Sequence, residues 1–367
     1  MTSPLRVGVI GCGGITQMMH LPFLAERPDL FSIEALADID PATLEAVGRR
    51  YHVQRRFTDH RELLALPGVE AAVILSGDSH RQPVVDAARA GKQIFVEKPL
   101  GENMQEVQEV QEAVRSAGVT LMVGYHKRYD PGYLHARDQV RAMQDLRLAR
   151  VEVLHPVDGR ARDHYWLEPP QDPQSAARAG SEATDGLLEA ATLGPARARI
   201  DAIIGPAAPA AQQVATFLLF NSLIHDINAL RGILGEPEEV LLAESWRGGR
   251  CIHVVLRWRQ DLRCTLTWIY LPGLQHYKEE LLFVSPERRV TLTFPSPYFK
   301  HFPTPVTVEA MEEGRLVQQR VTVSYEEAFR AELQHFHRCV RAGEAPRTGI
   351  EDAIADTALL ERIARAF

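Results

Sequence analysis

In the first third of the chain, apolar residues fall in short unbroken runs rather than in alternation. Leu5–Ile10, Ser32–Ala37, Gln54–Phe57, Val69–Leu75, Gln93–Val96 and Thr120–Val123 read as strands rich in Val, Ile and Leu. Between them, helical spacing recurs near Ile15–Glu26, Pro41–Tyr51, His60–Leu66, Arg81–Ala90 and Met104–Ala117. Strands without alternation are buried on both faces, and regular strand–helix alternation predicts a doubly wound parallel sheet.

After Tyr125 the pattern changes. Arg150–His155, Val240–Trp246, Ile252–Arg259, Arg263–Leu271, Glu280–Val284, Val290–Phe294, Val306–Met311 and Leu316–Val323 read as strands. Several are joined by short turns such as Gly248-Gly249 and Gln260-Asp261, which imply antiparallel meanders. Tyr325–Arg341 and Glu351–Ala366 close the chain as amphipathic helices. The expected architecture is α/β: an N-terminal Rossmann domain over 1–124, then an α+β domain over 125–367 with a large, mostly antiparallel open sheet. The stretch 169–213 is dominated by Ala, Pro and Gly. Glu182–Leu193 within it has helical spacing, which suggests an excursion or lid.

Composition adds mainly exclusions. At 45% apolar, 24% charged and a net charge of −7, the 367-residue chain has no electrostatic bias toward nucleic acid or an anionic membrane. Its length suits two domains. The four cysteines form no Cys-x-x-Cys pair, so free thiols in a reducing cytoplasm are expected. Met1–Arg6 runs straight into a strand, and no secretory leader or membrane span is expected.

The first strand ends in Gly11-Cys12-Gly13-Gly14-Ile15-Thr16 and opens a helix. Glycine lets a pyrophosphate approach the backbone, and the helix start offers its N–H groups to that anion. Asp38 closes the second strand 22 positions after Thr16, near the roughly 20 of the dinucleotide fingerprint. An aspartate there bonds the adenosine ribose hydroxyls and repels a 2′-phosphate, so NAD is preferred, with NADP possible if Arg49 or a neighbour reached that ribose. Thr16 departs from the pattern, replacing the third glycine. The fifth strand ends in Glu97-Lys98-Pro99, at the edge where parallel sheets bind ligands. A proline after the lysine can take the cis form.

These segments resemble the Gfo/Idh/MocA oxidoreductases. The likeness is carried by Gly11-Cys12-Gly13-Gly14-Ile15, Ala37-Asp38-Ile39-Asp40-Pro41 and Ala90-Gly91-Lys92 through Glu97-Lys98-Pro99-Leu100. Tyr125-His126-Lys127-Arg128-Tyr129-Asp130-Pro131, Ile224-His225-Asp226-Ile227-Asn228 and the helix around Phe336 extend it. The resemblance implies hydride transfer between a nicotinamide cofactor and a sugar-like or polyol substrate, in a homodimer or homotetramer. It implies that Lys98 contacts both nicotinamide ribose and substrate oxygen. Gly11, Gly13, Gly14, Ile15, Asp38, Ile39, Ser76, Asp78, His80 and Glu97 would hold the cofactor, and Tyr125, His126 and Arg128 would sit near the sugar.

Hydride transfer at a carbinol carbon needs a proton acceptor, and histidine suits that task. His225 is the candidate, with Asn221 one helical turn away. Where the family usually has aspartate, this chain has Asn221, and Ala215-Thr216-Phe217 replaces a glycine cluster. Two other functions stay open: a dinucleotide-binding sensor or partner subunit without dehydrogenase activity, and a lyase or glycosidase that oxidises transiently. His335, His337 and Cys339 look metal-like, but a packed helix is expected and no metal is called for.

Overall fold

The computed structural model describes residues 3–77, 79–156, 162–168, 194 and 196–367. The helical spacing over Glu182–Leu193 lies outside them. The chain forms two compact units. The first comprises Met1–His126, Tyr165–Ser181 and Phe329–Thr357; the second comprises Lys127–His164, Glu182–Ala328 and Ala358–Phe367.

The first unit holds a six-stranded parallel sheet in the order β3-β2-β1-β4-β5-β6. Its strands are β1 (Leu5–Ile10), β2 (Phe31–Ala37), β3 (Arg55–Phe57), β4 (Ala71–Ile74), β5 (Gln93–Glu97) and β6 (Leu121–Gly124). All of β4 and β6 is buried, as expected for strands covered on both faces. The crossovers are α1 (Leu21–Ala25), α2 (Pro41–Arg50), α3 (His60–Leu64), α4 (Arg81–Arg89) and α5 (Met104–Ala117). Short polar side chains start several of them. Asp40 accepts from Ala42 N, Asp59 from Arg61 N and Asn103 from Glu106 N; each such cap stabilises its helix by about 1 kcal/mol. The first-strand crossover begins with one wide turn, Thr16–His20, before α1.

In the second unit, α6 (Pro131–Arg141) precedes β7 (Leu148–His155). The helices α7 (Ala196–Ile204), α8 (Ala210–Leu218) and α9 (Ile224–Leu234) follow, with the wide turn Leu219–Leu223 between the last two. Then come β8 (Glu239–Trp246), β9 (Cys251–Arg257), β10 (Arg263–Tyr270), β11 (Lys278–Val284), β12 (Arg288–Phe294), β13 (Val306–Glu312) and β14 (Arg315–Val321). The eight strands lie in the order β14-β13-β12-β11-β7-β10-β9-β8, antiparallel except for β7 against β10. On β10 the alternation is strict: Cys264, Leu266, Trp268 and Tyr270 are buried, while the residues between them are half-exposed. The expected turns occur where left-handed residues reverse the chain, at Gly248-Gly249 and at Gln260-Asp261. The chain closes with α10 (Ala328–Ala342) and α11 (Ile350–Ala364). No helix among the described residues is long and apolar enough to cross a membrane.

Candidate active site

At the end of β1, Gly11 has φ +94°, and a Cβ there would lie 2.6 Å from Ser76 N. No side chain fits. At Gly13 a Cβ would meet nothing within 4 Å, so the bare backbone faces open space. Gly13 and Gly14 are exposed and Ile15 is half-buried. Thr16, which breaks the glycine pattern, is fully buried and donates its hydroxyl to Gly11 O at 2.9 Å. Its side chain thus staples the turn instead of filling it. Gln17 adds a second staple, Nε2 to Cys12 O at 2.9 Å.

Asp38 accepts from Cys12 N at 2.6 Å through Oδ2 and from Asp40 N at 2.8 Å through Oδ1. It therefore joins the end of β2 to the glycine turn, with Ile39 64% exposed beside it. Burial, reinforced by the Asp38 charge, pushes the Cys12 thiol far up, which leaves it unreactive. At the end of β4, the buried Ser76 Oγ has no hydrogen-bond partner among the described residues. A bare open turn, an aspartate at the second strand and an unmatched hydroxyl beside the turn together fit a dinucleotide. Asp78 lies outside the described residues.

Lys98 follows β5 directly, is half-buried, and is joined to Pro99 by a cis bond. Glu97 beneath it is buried. Its Oε1 meets His20 Nε2 at 2.8 Å and its Oε2 accepts from Lys98 N at 3.1 Å. Burial alone would raise the Glu97 carboxyl; the His20 bond and the charges of His20, Lys98 and His126 instead hold it below the usual carboxylate range. His80 faces inward, one ring nitrogen 2.6 Å from Pro99 O and the other 2.9 Å from Ser76 O. It braces the ends of β4 and β5, and burial lowers its pKa. Tyr125 is buried, and His126 stacks on Phe329 with ring centroids 4.2 Å apart.

In the second unit, His225 is half-buried in the first turn of α9. Asn221 lies in the wide turn before it and donates Nδ2 to Phe217 O at 2.8 Å. Ser222 accepts from Trp268 Nε1 at 3.0 Å, fixing this turn to the sheet. Arg128 reaches Asn228 O at 3.3 Å, so it is tied to α9.

A buried cluster forms around Asp226, the next residue after His225. Lys127 is buried and hydrogen-bonded to Asp226 at 3.3 Å and to Glu279, which also accepts from Tyr277. Burial opposes charge on Lys127, but the two carboxylates raise its pKa. Burial pushes Asp226 well above its ordinary value, while Lys127 and a bond from Asp226 hold Glu279 down. Of the two carboxyls beside the one cation, Asp226 is thus the one pushed toward its neutral form. The adjacent His225-Asp226 pair was the available signal, but Glu279 is over 50 residues away in sequence.

A family model described as "Oxidoreductase family, NAD-binding Rossmann fold" (GFO_IDH_MocA) matches residues 5–125. Residues 5–125 are thus similar to the NAD-binding domain of the Gfo/Idh/MocA oxidoreductases. The same stretch carries likenesses to curated relatives. The Bacillus subtilis oxidoreductase YrbE is 34% identical over 134 residues, 36% of this chain and 39% of that protein. The scyllo-inositol 2-dehydrogenase (NAD(+)) of Bacillus subtilis is 32% identical over 143 residues, 39% of this chain and 42% of the relative. The chain thus aligns with about two fifths of the length of these relatives. Across nearly the whole chain the likeness is one of fold. KijD10, a 3-ketoreductase from Actinomadura kijaniata crystallised with TDP-benzene and NADP, superposes with a TM-score of 0.71 at 20% identity, covering 99% of this chain and 98% of that one. An aldose-aldose oxidoreductase from Caulobacter crescentus gives 0.72 at 20% identity, covering 99% and 97%.

The metal-like trio on α10 does not converge. His335 Nε2 accepts from Arg347 N, and His337 packs edge-on against Phe31.

Proposed function

We propose that the protein is an oxidoreductase that moves a hydride between NAD and a secondary alcohol of a sugar-like or polyol substrate. The observation that carries this reading is Lys98 at the carboxyl end of β5 in an NAD-binding domain, with the charged Glu97 anchored under it. The nicotinamide supplies hydride acceptance or donation when bound. The rest falls to the chain's own residues. Gly13 and Gly14 N–H groups receive the pyrophosphate, and Asp38 receives the ribose hydroxyls. No basic side chain occurs among residues 39–43 to receive a 2′-phosphate, which favours NAD. Lys98 Nζ stabilises negative charge on the substrate oxygen. His225 takes or returns the hydroxyl proton at an imidazole nitrogen. Tyr125, His126 and Arg128 shape the sugar end of the site.

Lys98→Met tests this. Turnover of a panel of inositols and aldoses with NAD should fall by about 10²–10³-fold, while the dinucleotide still binds, its Kd weakened by no more than about tenfold. Unchanged turnover overturns the assignment.

One observation favours a second reading, a dinucleotide-binding protein without dehydrogenase activity. The Asn221 amide donates to Phe217 O, and it brings no negative charge to the turn before His225. If the natural sequence is silent and Asn221→Asp awakens turnover, this reading replaces the first. The four cysteines, all free and buried, suit a reducing cytoplasm. We place the half-exposed face of the eight-stranded sheet in a homodimer, which sedimentation will test.

A further inference from the structure

The interior of the first unit contains an ionisable group with no place in the chemistry above. Glu332, on α10, is fully buried, and neither of its carboxyl oxygens has a hydrogen-bond partner among the described residues. The Nδ1 of His20 is equally unmatched. One donor atom from each of His20, Glu97 and Glu332 lies within 4.8 Å of the others. The His20 ring is flanked by Phe95 at 5.5 Å and Phe329 at 5.6 Å.

A buried carboxylate with no partner is destabilised by several kcal/mol unless a cation or a proton neutralises it. A structural zinc needs four ligands. The described residues offer three here, between aromatic walls. A proton requires no further ligand.

We propose that Glu332 is held protonated across the neutral pH range, and that its neutrality leaves Glu97 as the sole anion of this pocket, clamped between His20 and the backbone N–H of Lys98. Glu332 is thus a positioning residue for Lys98. Burial and the Glu97 charge both push the Glu332 carboxyl well above its ordinary value. The groups facing Glu97 are His20 from the first crossover, Lys98 from its own strand end, His126 from beyond β6 and Glu332 from α10; Glu97 and His20 face Glu332. Ionising Glu332 would set two like charges together and loosen Glu97 from its clamp. The inference depends on the dehydrogenase reading only for the use made of Lys98.

The full chain and three variants test it, with NADH as the probe. In wild type, NADH affinity and the Tm of the unliganded protein should both fall as pH rises into the alkaline range. A group whose folded pKa is raised contributes stability at low pH and loses it as pH climbs through that pKa. Glu332→Leu and Glu332→Gln, both neutral, should keep the neutral-pH affinity for NADH and remove both alkaline falls. His20→Phe, which unclamps Glu97, should weaken NADH binding about tenfold. Equal alkaline falls in wild type and Glu332→Gln overturn the proposal. So does a stoichiometric divalent metal in purified protein that Glu332→Gln loses, or a tenfold loss of affinity in Glu332→Gln at neutral pH. These readouts are binding and unfolding, so a protein with the expected profiles but no turnover sinks the dehydrogenase reading alone.

Discussion

In the second unit, Lys127 reaches both Asp226 and Glu279, so the two carboxyls close on one cation. In the first unit, Glu97 takes one nitrogen of His20 while Glu332 has no partner among the described residues. Both clusters are buried, and both back a strand end or helix turn that bears a candidate catalytic side chain. They differ in how the interior tolerates negative charge. One uses a lysine and is strong only while complete. The other uses a histidine and a held proton, and so answers to pH. Buried charges are costly singly and tolerable when paired, so deletion should hurt the lysine cluster most.

The largest effect is therefore expected from Lys127→Met, which strands Asp226 and Glu279. It should destabilise the fold by about 3–5 kcal/mol in urea unfolding. Adding Glu279→Gln should recover most of that loss, because a protonated Asp226 beside an amide carries no charge. A double variant no better than the single would mean that packing of the lysine stem, not charge, holds the cluster.

Asp130 sharpens the comparison as an intermediate case. It caps α6 at Tyr133 N and accepts from Thr304 Oγ1 at 2.8 Å, yet burial pushes it up to about 6. Its folded pKa is raised, so its contribution is present at low pH and lost as pH rises from its unfolded value through about 6. Asp130→Asn should flatten that part of the stability–pH curve, a difference of about 1–3 kcal/mol between acidic and neutral pH. A curve unchanged by the substitution would show that the carboxyl titrates normally.

The smallest effect is expected from Thr304→Val. It removes one hydrogen bond to Asp130 and should cost about 1 kcal/mol. Because that bond favours the charged carboxylate, its loss should move the Asp130 midpoint further up, as NMR titration would record.

The cofactor half of the site was legible because its signals are local. Gly11 through Thr16 and Asp38 lie at strand ends set by hydrophobic runs, and strand ends are where a parallel sheet gathers its ligands. Thr16 read as a loosened match; the folded turn makes it a hydroxyl staple, which depends on a carbonyl five residues back. His80 read as a cofactor contact, but both its nitrogens meet backbone carbonyls. Arg128 read as a sugar contact; it reaches Asn228 O on α9.

What the chain determined by itself was periodicity and punctuation: two sheets of different kind, the helix caps, the glycine turn and the placement of Lys98. Those follow from side-chain size, backbone freedom and the spacing of apolar positions, all of which act over a few residues. Only the tertiary structure decided which carboxyls are charged. Glu97 and Glu332 are 235 residues apart, and Asp226 and Glu279 are 53 apart. Whether such groups keep a proton depends on burial and on partners that distant segments bring within a few ångströms. No local pattern encodes that distance.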